Sequence, residues 1–314
     1  MNIFITRELP GDVLAPLAGL GAVAVSPHDR PLTPAELRAG VAGADAVITT
    51  LHDRVGPDVL AAAGPRLRLV ANTAAGYDNL DVAAITAHGA IATNTPGVLV
   101  DATADLTMAL LLDVTRRVSE GDRLVRSGTP WLWDIGFLLG TGLQGRRLGI
   151  VGMGAIGRAV AVRAAAFGME VVHHSRRGTG IGLDELLSTS DFVSLHCPLT
   201  AQTRHLIDEA ALRRMKPTAY LVNTARGPVV DEAALARALH AGEIAGAALD
   251  VYEDEPKVHA DLLALDNVVL TPHLGSATSE TRTRMAAVAV ENVVAVLTGG
   301  EPLTPISPSA SEKS

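Results

Sequence analysis

The chain has 314 residues, of which 48% are hydrophobic and 3% aromatic, and its formal net charge is -8 at pH 7. The charges are interspersed along the chain, which excludes a basic stripe for nucleic acid and a polybasic patch for a membrane. Cys197 is the one cysteine, which excludes an internal disulfide framework and a multi-cysteine metal cluster. We therefore expect a cytoplasmic protein of two domains that acts on a small molecule, without metal, export signal or membrane helix.

The first part of the chain alternates short β-rich runs with stretches rich in Ala and Leu. The β-rich runs lie at residues 3–5, 22–25, 46–48, 67–71 and 90–92. Strands that alternate with helices form a parallel sheet that is covered by helices on both faces. The low aromatic content agrees with such layers, whose strands are built largely from Val, Ile and Leu. The sequence thus predicts a complete small α/β layer.

A helix and an irregular segment separate this layer from a second strand series. Residues 98–126 carry apolar side chains at helical spacing, and Gly128 and Pro130 follow them, which predicts one long helix. Residues 131–145 show no regular period. A last helix is expected over 280–297, and 307–314 is expected to be a frayed tail. The strands of the second series are predicted at 148–151, 171–174, 192–195, 219–222, 247–249 and 268–270.

A glycine fingerprint lies between the strand 148–151 and a helical run at 158–167. In such a turn the first glycine allows a sharp bend, the second lets the backbone approach a pyrophosphate, and the third lets the helix pack against the strand. A tight turn without a ligand is the alternative interpretation. The residues that we expect to contact a dinucleotide here are Gly152, Met153, Gly154, Ala155, Ile156 and Gly157.

The residues after the next strand indicate which dinucleotide is preferred. An acid at this point binds the ribose of NAD, whereas an arginine accommodates the 2′-phosphate of NADP. The strand 171–174 is followed by Ser175, Arg176 and Arg177, while Glu170 stands at its other end. Hydrogen bonds from a guanidinium to a phosphate are charge-assisted and contribute about 1.5 to 3 kcal/mol each. The sequence favours NADP(H) and leaves NAD(H) open, with solvated loop arginines as the alternative.

Three segments each end a strand of the second series with ionisable residues: 223–227, 250–256 and 271–275. The carboxyl ends of parallel strands border the ligand crevice of such a sheet. Reduction of a 2-oxo acid needs a cation for the carboxylate, a proton donor for the carbonyl oxygen, and a group that keeps the donor charged. An arginine, several acids and a histidine in these segments suit those three tasks. Taken one by one, each could also be an ordinary loop or turn residue.

Segments along nearly the whole chain resemble one enzyme family. They are 76–81, 93–98, 101–105, the glycine fingerprint, 196–200 and the three segments above. Together they resemble the D-isomer-specific 2-hydroxyacid dehydrogenases, and among these most closely the glyoxylate/hydroxypyruvate reductases. The resemblance implies that Arg226 binds the substrate, that His273 donates the proton, and that Glu255 keeps His273 charged. Glu255, and not Glu253, occupies the position of the family glutamate because it directly precedes Pro256.

The resemblance also implies the remaining site residues. Backbone N–H groups of one loop are expected to bind the substrate carboxylate, and this loop is Ala74, Ala75 and Gly76. The further cofactor contacts that we expect are Thr103, Cys197, Pro198, Thr203, Thr224, Ala225, Asp250, Gly275 and Ser276.

The fold that we expect consists of two doubly wound parallel-sheet α/β domains. A Rossmann cofactor domain at 98–276 is inserted in a flavodoxin-like substrate domain at 1–97 plus 277–306. In relatives the irregular segment forms an arm across a dimer, so we expect a homodimer that uses Trp131, Trp133 and Phe137. One departure from the family is that only 178–185 separate Arg177 from the helix near Leu186, which puts an edge strand of the cofactor domain in doubt.

The expected function is the NAD(P)H-dependent reduction of a small 2-oxo acid, such as glyoxylate or hydroxypyruvate, to the 2-hydroxy acid. Two alternatives stay open from the sequence. One is a phosphoglycerate-type dehydrogenase, although the chain stops soon after its last helix, without the appended regulatory domain that many of those enzymes carry. The other is a non-enzymatic corepressor that senses the dinucleotide.

Overall fold

Two parallel sheets organise the protein in its computed structural model, which describes residues 1–175 and 178–307. One compact unit contains Met1–Leu99 and the described residues from Thr278 onward, and the other is Val100–Ala277. Arg176, Arg177 and residues 308–314, which include most of the expected tail, lie outside the described residues. The strands in chain order are β1 (Asn2–Ile5), β2 (Ala22–Val25), β3 (Ala46–Thr49), β4 (Leu69–Asn72), β5 (Ile91–Thr93), β6 (Arg147–Val151), β7 (Glu170–His174), β8 (Phe192–Leu195), β9 (Tyr220–Asn223), β10 (Gly246–Leu249) and β11 (Val268–Leu270).

The helices connect successive strands and cover the sheets. None of those in the described residues is both long and apolar enough to span a membrane. In chain order they are α1 (Pro34–Val41), α2 (Pro57–Ala63), α3 (Val82–Ala87), α4 (Val100–Arg116), α5 (Val118–Arg126), α6 (Ala155–Ala166), α7 (Leu183–Thr189), α8 (Glu209–Arg214), α9 (Glu232–His240), α10 (Ala260–Leu263) and α11 (Ser279–Leu297).

The sheet of the first unit has the strand order β2-β1-β3-β4-β5, with all neighbours parallel. This is the order of a flavodoxin-like layer. Side chains alternate between its faces, so that Ile3 and Ile5 pack with α11 through Val293 while Phe4 packs on the opposite face with Val47. Complete burial of one such side chain stabilises the fold by about 1.5 to 3 kcal/mol, and this drives both faces to acquire a helical cover.

The sheet of the second unit has the order β11-β10-β9-β8-β6-β7 and is also parallel throughout. A full Rossmann sheet has a further strand outside the second one. Here β8 pairs with β6, and the described residues place only an isolated bridge, His174 with Gly180, beyond β7. The shortened segment after β7 therefore leaves this part of the sheet without an outer strand among the described residues.

The prediction of one helix over 98–126 is wrong. The structure breaks it into α4 and α5 at Arg117, which has a left-handed φ of 57°. The apolar side chains of α4, such as Leu111 and Val114, are buried in the second unit, whereas α5 buries no side chain. The Arg117 guanidinium bonds Glu120 at 2.6 Å across the start of α5. Because packing holds α4 but not α5, the helix axis can change direction at Arg117.

Candidate active site

The first and third glycines of the fingerprint are required by close backbone contacts. Gly152 follows β6 with φ +101°, and a Cβ there would lie 2.7 Å from the backbone nitrogen of Cys197. A Cβ at Gly157 would lie 2.2 Å from the carbonyl oxygen of Gly152. Any other residue would clash with the backbone at either position. These two glycines let the chain turn tightly from β6 into α6.

The second glycine leaves open space at the start of α6. Gly154 caps the helix without a side-chain hydrogen bond, and a Cβ there would meet nothing within 4 Å. Arg158 is the first residue whose N–H bonds into the helix, to Gly154 O at 3.0 Å. The N–H groups at 155–157 donate to no acceptor within the described chain. Because a helix N-terminus attracts anions, this open turn fits the pyrophosphate of a dinucleotide.

Among the described residues, no Asp or Glu follows β7 before Asp184, so the segment directly after this strand supplies no carboxylate for a ribose. Glu170 begins β7 and its side chain bonds Arg147 at 2.9 Å, away from the end of the strand. Ser175 follows the strand, and its hydroxyl lies 2.7 Å from that of Thr179. The two arginines on which the cofactor prediction depends, Arg176 and Arg177, lie outside the described residues.

An imidazole and a carboxylate form a pair at the carboxyl edge of the second sheet. Nδ1 of His273 lies 2.9 Å from Oε2 of Glu255, and their side chains are 25% and 19% exposed. The other carboxylate oxygen of Glu255 accepts from the N–H of Tyr252 at 3.1 Å. A carboxylate at this distance stabilises the protonated imidazole and fixes the orientation of the ring. The arrangement can hold a proton for transfer from Nε2.

The backbone of His273 is held in an unusual conformation. Its φ of 54° is left-handed, which is uncommon for a residue with a side chain. Asp250 is buried behind it and accepts from the N–H groups of Leu274 at 2.7 Å and Gly275 at 2.8 Å. Burial raises the pKa of Asp250, which these hydrogen bonds partly oppose. Asp250 therefore braces the loop that carries the imidazole; its expected contact with a cofactor stays a prediction.

Arg226 lies in a loop after β9, and hydrogen bonds from Asn223 to the backbone hold this loop in place. Asn223 binds both ends of this turn, since its amide donates to Arg226 O at 3.0 Å and its oxygen accepts from Ala225 N–H at 3.0 Å. A Cβ at Gly227 would lie 1.8 Å from the carbonyl group of Tyr252. The missing side chain thus lets the loop of Arg226 pack against the loop that leads to Glu255.

Other expected cofactor residues line the same edge. Thr103 in α4 donates to Gly275 O at 3.0 Å, and the hydroxyls of Thr107 and Thr224 lie 2.9 Å apart. Ser276 follows Gly275 and is partly buried. These contacts join the start of α4 to the loops after β9 and β11.

A second group of expected cofactor residues follows β8. Thr203 donates to Pro198 O at 2.7 Å and so closes the turn after Cys197. Burial raises the pKa of the Cys197 thiol to about 11, and burial lowers the pKa of the neighbouring His196 to about 4. Both side chains are therefore uncharged near neutral pH, and a thiolate nucleophile is not available from Cys197.

In the first unit, the loop at 74–76 has its carbonyl oxygens bound within the chain, whereas its N–H groups meet no acceptor among the described residues. Its three carbonyl oxygens are occupied: Ala74 O accepts from Thr95 N–H at 2.9 Å, Ala75 O from the Asn94 amide at 2.7 Å, and Gly76 O from the Asn72 amide at 3.1 Å. The N–H groups of this loop find no acceptor in the described part of the chain. Successive N–H groups turned the same way form a site for an anion such as a carboxylate.

Sequence reasoning missed four residues that shape these loops. Asn72 and Asn94 orient the loop at 74–76, Gly227 permits the packing of the Arg226 loop, and Glu232 binds the loop of Glu255. Polar residues at strand ends, such as Asn72, were the available signal. The partner of Asn72 in this loop, Gly76, is four residues away, but the partners of Asn94, Gly227 and Glu232 are distant in sequence and could not be identified from it. Within the described residues, no group of three or more His, Cys, Asp or Glu side chains could hold a metal ion.

The second unit matches a known family. Residues 108–275 match the sequence family of the NAD binding domain of D-isomer specific 2-hydroxyacid dehydrogenases. The chain belongs to this family. It is therefore an oxidoreductase that uses a nicotinamide dinucleotide in 2-hydroxyacid dehydrogenase chemistry. The two parallel α/β sheets are the fold that the resemblance to this family predicted.

Relatives within the 2-hydroxyacid dehydrogenase family match nearly the full length. A glyoxylate reductase of Aeropyrum pernix is 47% identical over 96% of this chain and 94% of its own. A protein of Thermus thermophilus with a crystal structure is 47% identical, covers 98% of this chain and 100% of its own, and has a TM-score of 0.93. An NADPH-dependent glyoxylate/hydroxypyruvate reductase of Sinorhizobium meliloti, solved with NADP and malonate, is 34% identical, covers 98% and 96%, and has a TM-score of 0.85.

Proposed function

We propose that the protein reduces a small 2-oxo acid, glyoxylate or hydroxypyruvate, to the corresponding 2-hydroxy acid with NAD(P)H in the cytoplasm. The observation that carries the proposal is the pair of His273 and Glu255, 2.9 Å apart at the carboxyl edge of the sheet in the unit that matches an NAD binding domain. Family relatives that are named glyoxylate reductase support the substrate class.

Each proposed role follows from the chemistry of a side chain. His273 as imidazolium gives its Nε2 proton to the carbonyl oxygen, and Glu255 stabilises the charge that makes this transfer favourable. Arg226 supplies the cation that binds carboxylate and carbonyl oxygens, because a planar guanidinium can bind two oxygens at once. The hydride for the carbonyl carbon is supplied by the reduced nicotinamide ring when the dinucleotide is bound. After transfer, the imidazole must take a new proton before the next turnover.

The N–H groups of the loop at 74–76, which meet no acceptor among the described residues, suit a carboxylate. We propose that they bind the carboxylate of the substrate, with their direction set by the amides of Asn72 and Asn94. Backbone donors of this kind are already oriented, so that little reorganisation opposes binding. Loss of either amide would let a peptide unit rotate and turn its N–H group away.

NADP(H) is the proposed cofactor, with NAD(H) as the weaker one. In the sequence, His174 is followed by Ser175, Arg176 and Arg177 and not by an acid, and the Sinorhizobium meliloti relative is an NADPH-dependent enzyme. A guanidinium near the 2′-phosphate would favour NADP(H) by about ten- to a hundredfold in affinity. Replacement of both arginines by alanine should therefore raise KM for NADPH while KM for NADH changes little.

The irregular segment supports a homodimer. Trp131, Trp133 and Ile135 are 55%, 72% and 82% exposed, and α5 beside them in the chain buries no side chain. Exposed aromatic side chains in this number are typical of protein interfaces. We propose that a second copy covers them, which sedimentation at micromolar concentration would test.

The decisive assay follows NADPH and NADH oxidation with a panel of 2-oxo acids that includes glyoxylate, hydroxypyruvate and phosphohydroxypyruvate. We expect turnover with glyoxylate or hydroxypyruvate, faster with NADPH, and a loss of at least about a hundredfold in kcat/KM for His273→Gln. Preference for phosphohydroxypyruvate would instead indicate a phosphoglycerate-type dehydrogenase. Dinucleotide binding without turnover of any 2-oxo acid would overturn the proposal in favour of a sensor.

A further inference from the structure

A buried carboxylate outside the proposed reaction binds the loop that carries Glu255. Glu232 is the first residue of α9, and only 4% of it is exposed. Such a carboxylate is costly to bury unless hydrogen bonds replace its water shell. Both of its oxygens accept backbone N–H groups, from Glu253 to Oε1 and from His259 to Oε2 at 3.2 Å.

The two N–H groups lie on either side of Glu255. Glu253 precedes it and His259 follows Pro256, so one carboxylate binds both ends of the segment 253–259. This segment is an irregular loop, whose backbone has few internal contacts; one is the bond from Lys257 N–H to Asp254 O at 2.9 Å. A loop of this kind needs anchors outside itself to keep one conformation.

The chain before the segment is anchored separately. The Tyr252 hydroxyl donates to Thr271 O at 2.9 Å and to Leu249 O at 3.2 Å, and burial raises its pKa, so that it stays protonated as a donor. The N–H group of Tyr252 donates to Glu255 itself. Tyr252 thus fixes the entry to the loop, while Glu232 fixes the part that contains and follows Glu255.

We propose that Glu232 is a positioning residue that holds Glu255 at hydrogen-bond distance from His273. The inference rests on the proposed function, because it assigns Glu232 a part in keeping the imidazole protonated for transfer. Among the described residues, Glu255 contacts the imidazole at 2.9 Å, and the Asp250 carboxylate accepts from the N–H groups of Leu274 and Gly275 just after it. Of these two, Glu255 is carried by the segment that Glu232 binds.

The experiment compares Glu232→Gln in the natural chain and in a Glu255→Gln background. Glutamine keeps the shape but replaces one acceptor oxygen by an amide that cannot accept a backbone N–H group. We expect Glu232→Gln to lower kcat/KM for 2-oxo acid reduction by about tenfold at neutral pH, and by more as the pH rises. In the Glu255→Gln background the same change should lower kcat/KM by less than about twofold, because Glu232 acts through the charge of Glu255, which this background lacks.

A merely structural role predicts a different result. It would lower kcat/KM by the same factor in both backgrounds and at every pH, and this outcome would overturn the inference. Glu185→Gln serves as the matched control, because Glu185 also lies in the first turn of a helix but is exposed. It should leave both the rate and its pH profile unchanged.

Two further measurements keep the inference separate from the proposed function. Glu232→Asp keeps the charge on a shorter side chain, so a folded variant with an intermediate loss would support the inference if the glutamine variant does not fold. The ¹⁵N chemical shift of His273 Nδ1 reports its hydrogen bond to Glu255 and needs no turnover. This shift should change in Glu232→Gln and not in Glu185→Gln; an unchanged shift refutes the inference even if the protein proves not to reduce 2-oxo acids.

Discussion

The pair of Glu255 and His273 allows the proposed proton transfer to be tested by removing one charge. Glu255→Gln keeps the size of the side chain and one oxygen that can accept from Nδ1. It removes the negative charge that now lies 2.9 Å from the ring, in a position where the carboxylate is 19% exposed. The variant therefore isolates the electrostatic part of the contact from its packing.

The expected loss can be estimated from hydrogen-bond energies. A hydrogen bond to a charged group contributes about 1.5 to 3 kcal/mol, and a neutral one about 0.5 to 1.5 kcal/mol. Corresponding ends of these two ranges differ by about 1 to 1.5 kcal/mol, and because both side chains are mostly buried we take about 1.4 kcal/mol. This corresponds to about a tenfold loss in kcat/KM at neutral pH.

The assay measures kcat/KM for glyoxylate reduction with NADPH between pH 5 and 9, a range of about four units around the ordinary histidine value. If Glu255 acts by stabilising the protonated imidazole, the loss in Glu255→Gln should be smallest at the acidic end of this range and should grow as the pH rises. Glu253→Gln is the matched control, since that carboxylate pairs with His205 instead; its pH dependence should equal that of the natural chain. A loss that is equal at all pH values, or one that Glu253→Gln reproduces, would refute the reasoning.

Four further predictions address the cofactor turn, the substrate loop, the thiol and the stability of the first unit. Gly154→Ala should leave the free energy of unfolding within about 0.5 kcal/mol, because a Cβ there meets nothing within 4 Å, yet it should weaken NADPH binding in a fluorescence titration by filling the open turn. Asn94→Ala should raise KM for the 2-oxo acid by about tenfold and change kcat less, because Ala75 O loses its donor and the peptide can rotate; an unchanged KM would exclude the loop as a carboxylate site. Cys197 should react with iodoacetamide near neutral pH far more slowly in the folded protein than in urea, since burial raises its pKa to about 11, and equal rates would contradict this. Burial opposes ionisation of Asp45, but hydrogen bonds from Asn2 N–H and Arg66 hold the pKa of this carboxyl below its ordinary value. The ionised carboxylate therefore stabilises the fold at neutral pH, and this stabilisation is lost as the pH falls through the pKa of the folded state. Asp45→Asn should lower the free energy of unfolding in urea by about 1 kcal/mol at pH 7, and the difference should shrink below about pH 4.

Much of the fold was predictable because its signals are local. The strands of both sheets appear as short β-rich runs, and the structure moves their ends by a residue or two, as in β4, which runs from Leu69 to Asn72 instead of over 67–71. The helix after the fingerprint begins at Ala155, earlier than the periodic run at 158–167. Its first turn contains the fingerprint glycine at 157, a residue that helical periodicity does not mark.

The break at Arg117 shows where local reasoning failed. Periodicity continues from α4 into α5, but the two parts meet different surroundings: α4 is buried on one side, and α5 buries nothing. Whether such a stretch forms one helix or two depends on which neighbours are present in three dimensions. The same limit applies to the edge of the second sheet, where the sequence showed a shortened segment but not how the strands would pair.

The residue types proposed for catalysis could be predicted from the sequence alone, since Arg226, Glu255 and His273 each follow a strand of one series and lie in segments that resemble one family. The hydrogen bonds that hold the loops of the candidate site were decided by the tertiary structure. Glu232 reaches His259, and Asn94 reaches Ala75, through contacts between segments that are distant in the chain. Such contacts depend on how loops from separate strands meet at a sheet edge, and a buried polar group finds its partner only once the core has excluded water from it.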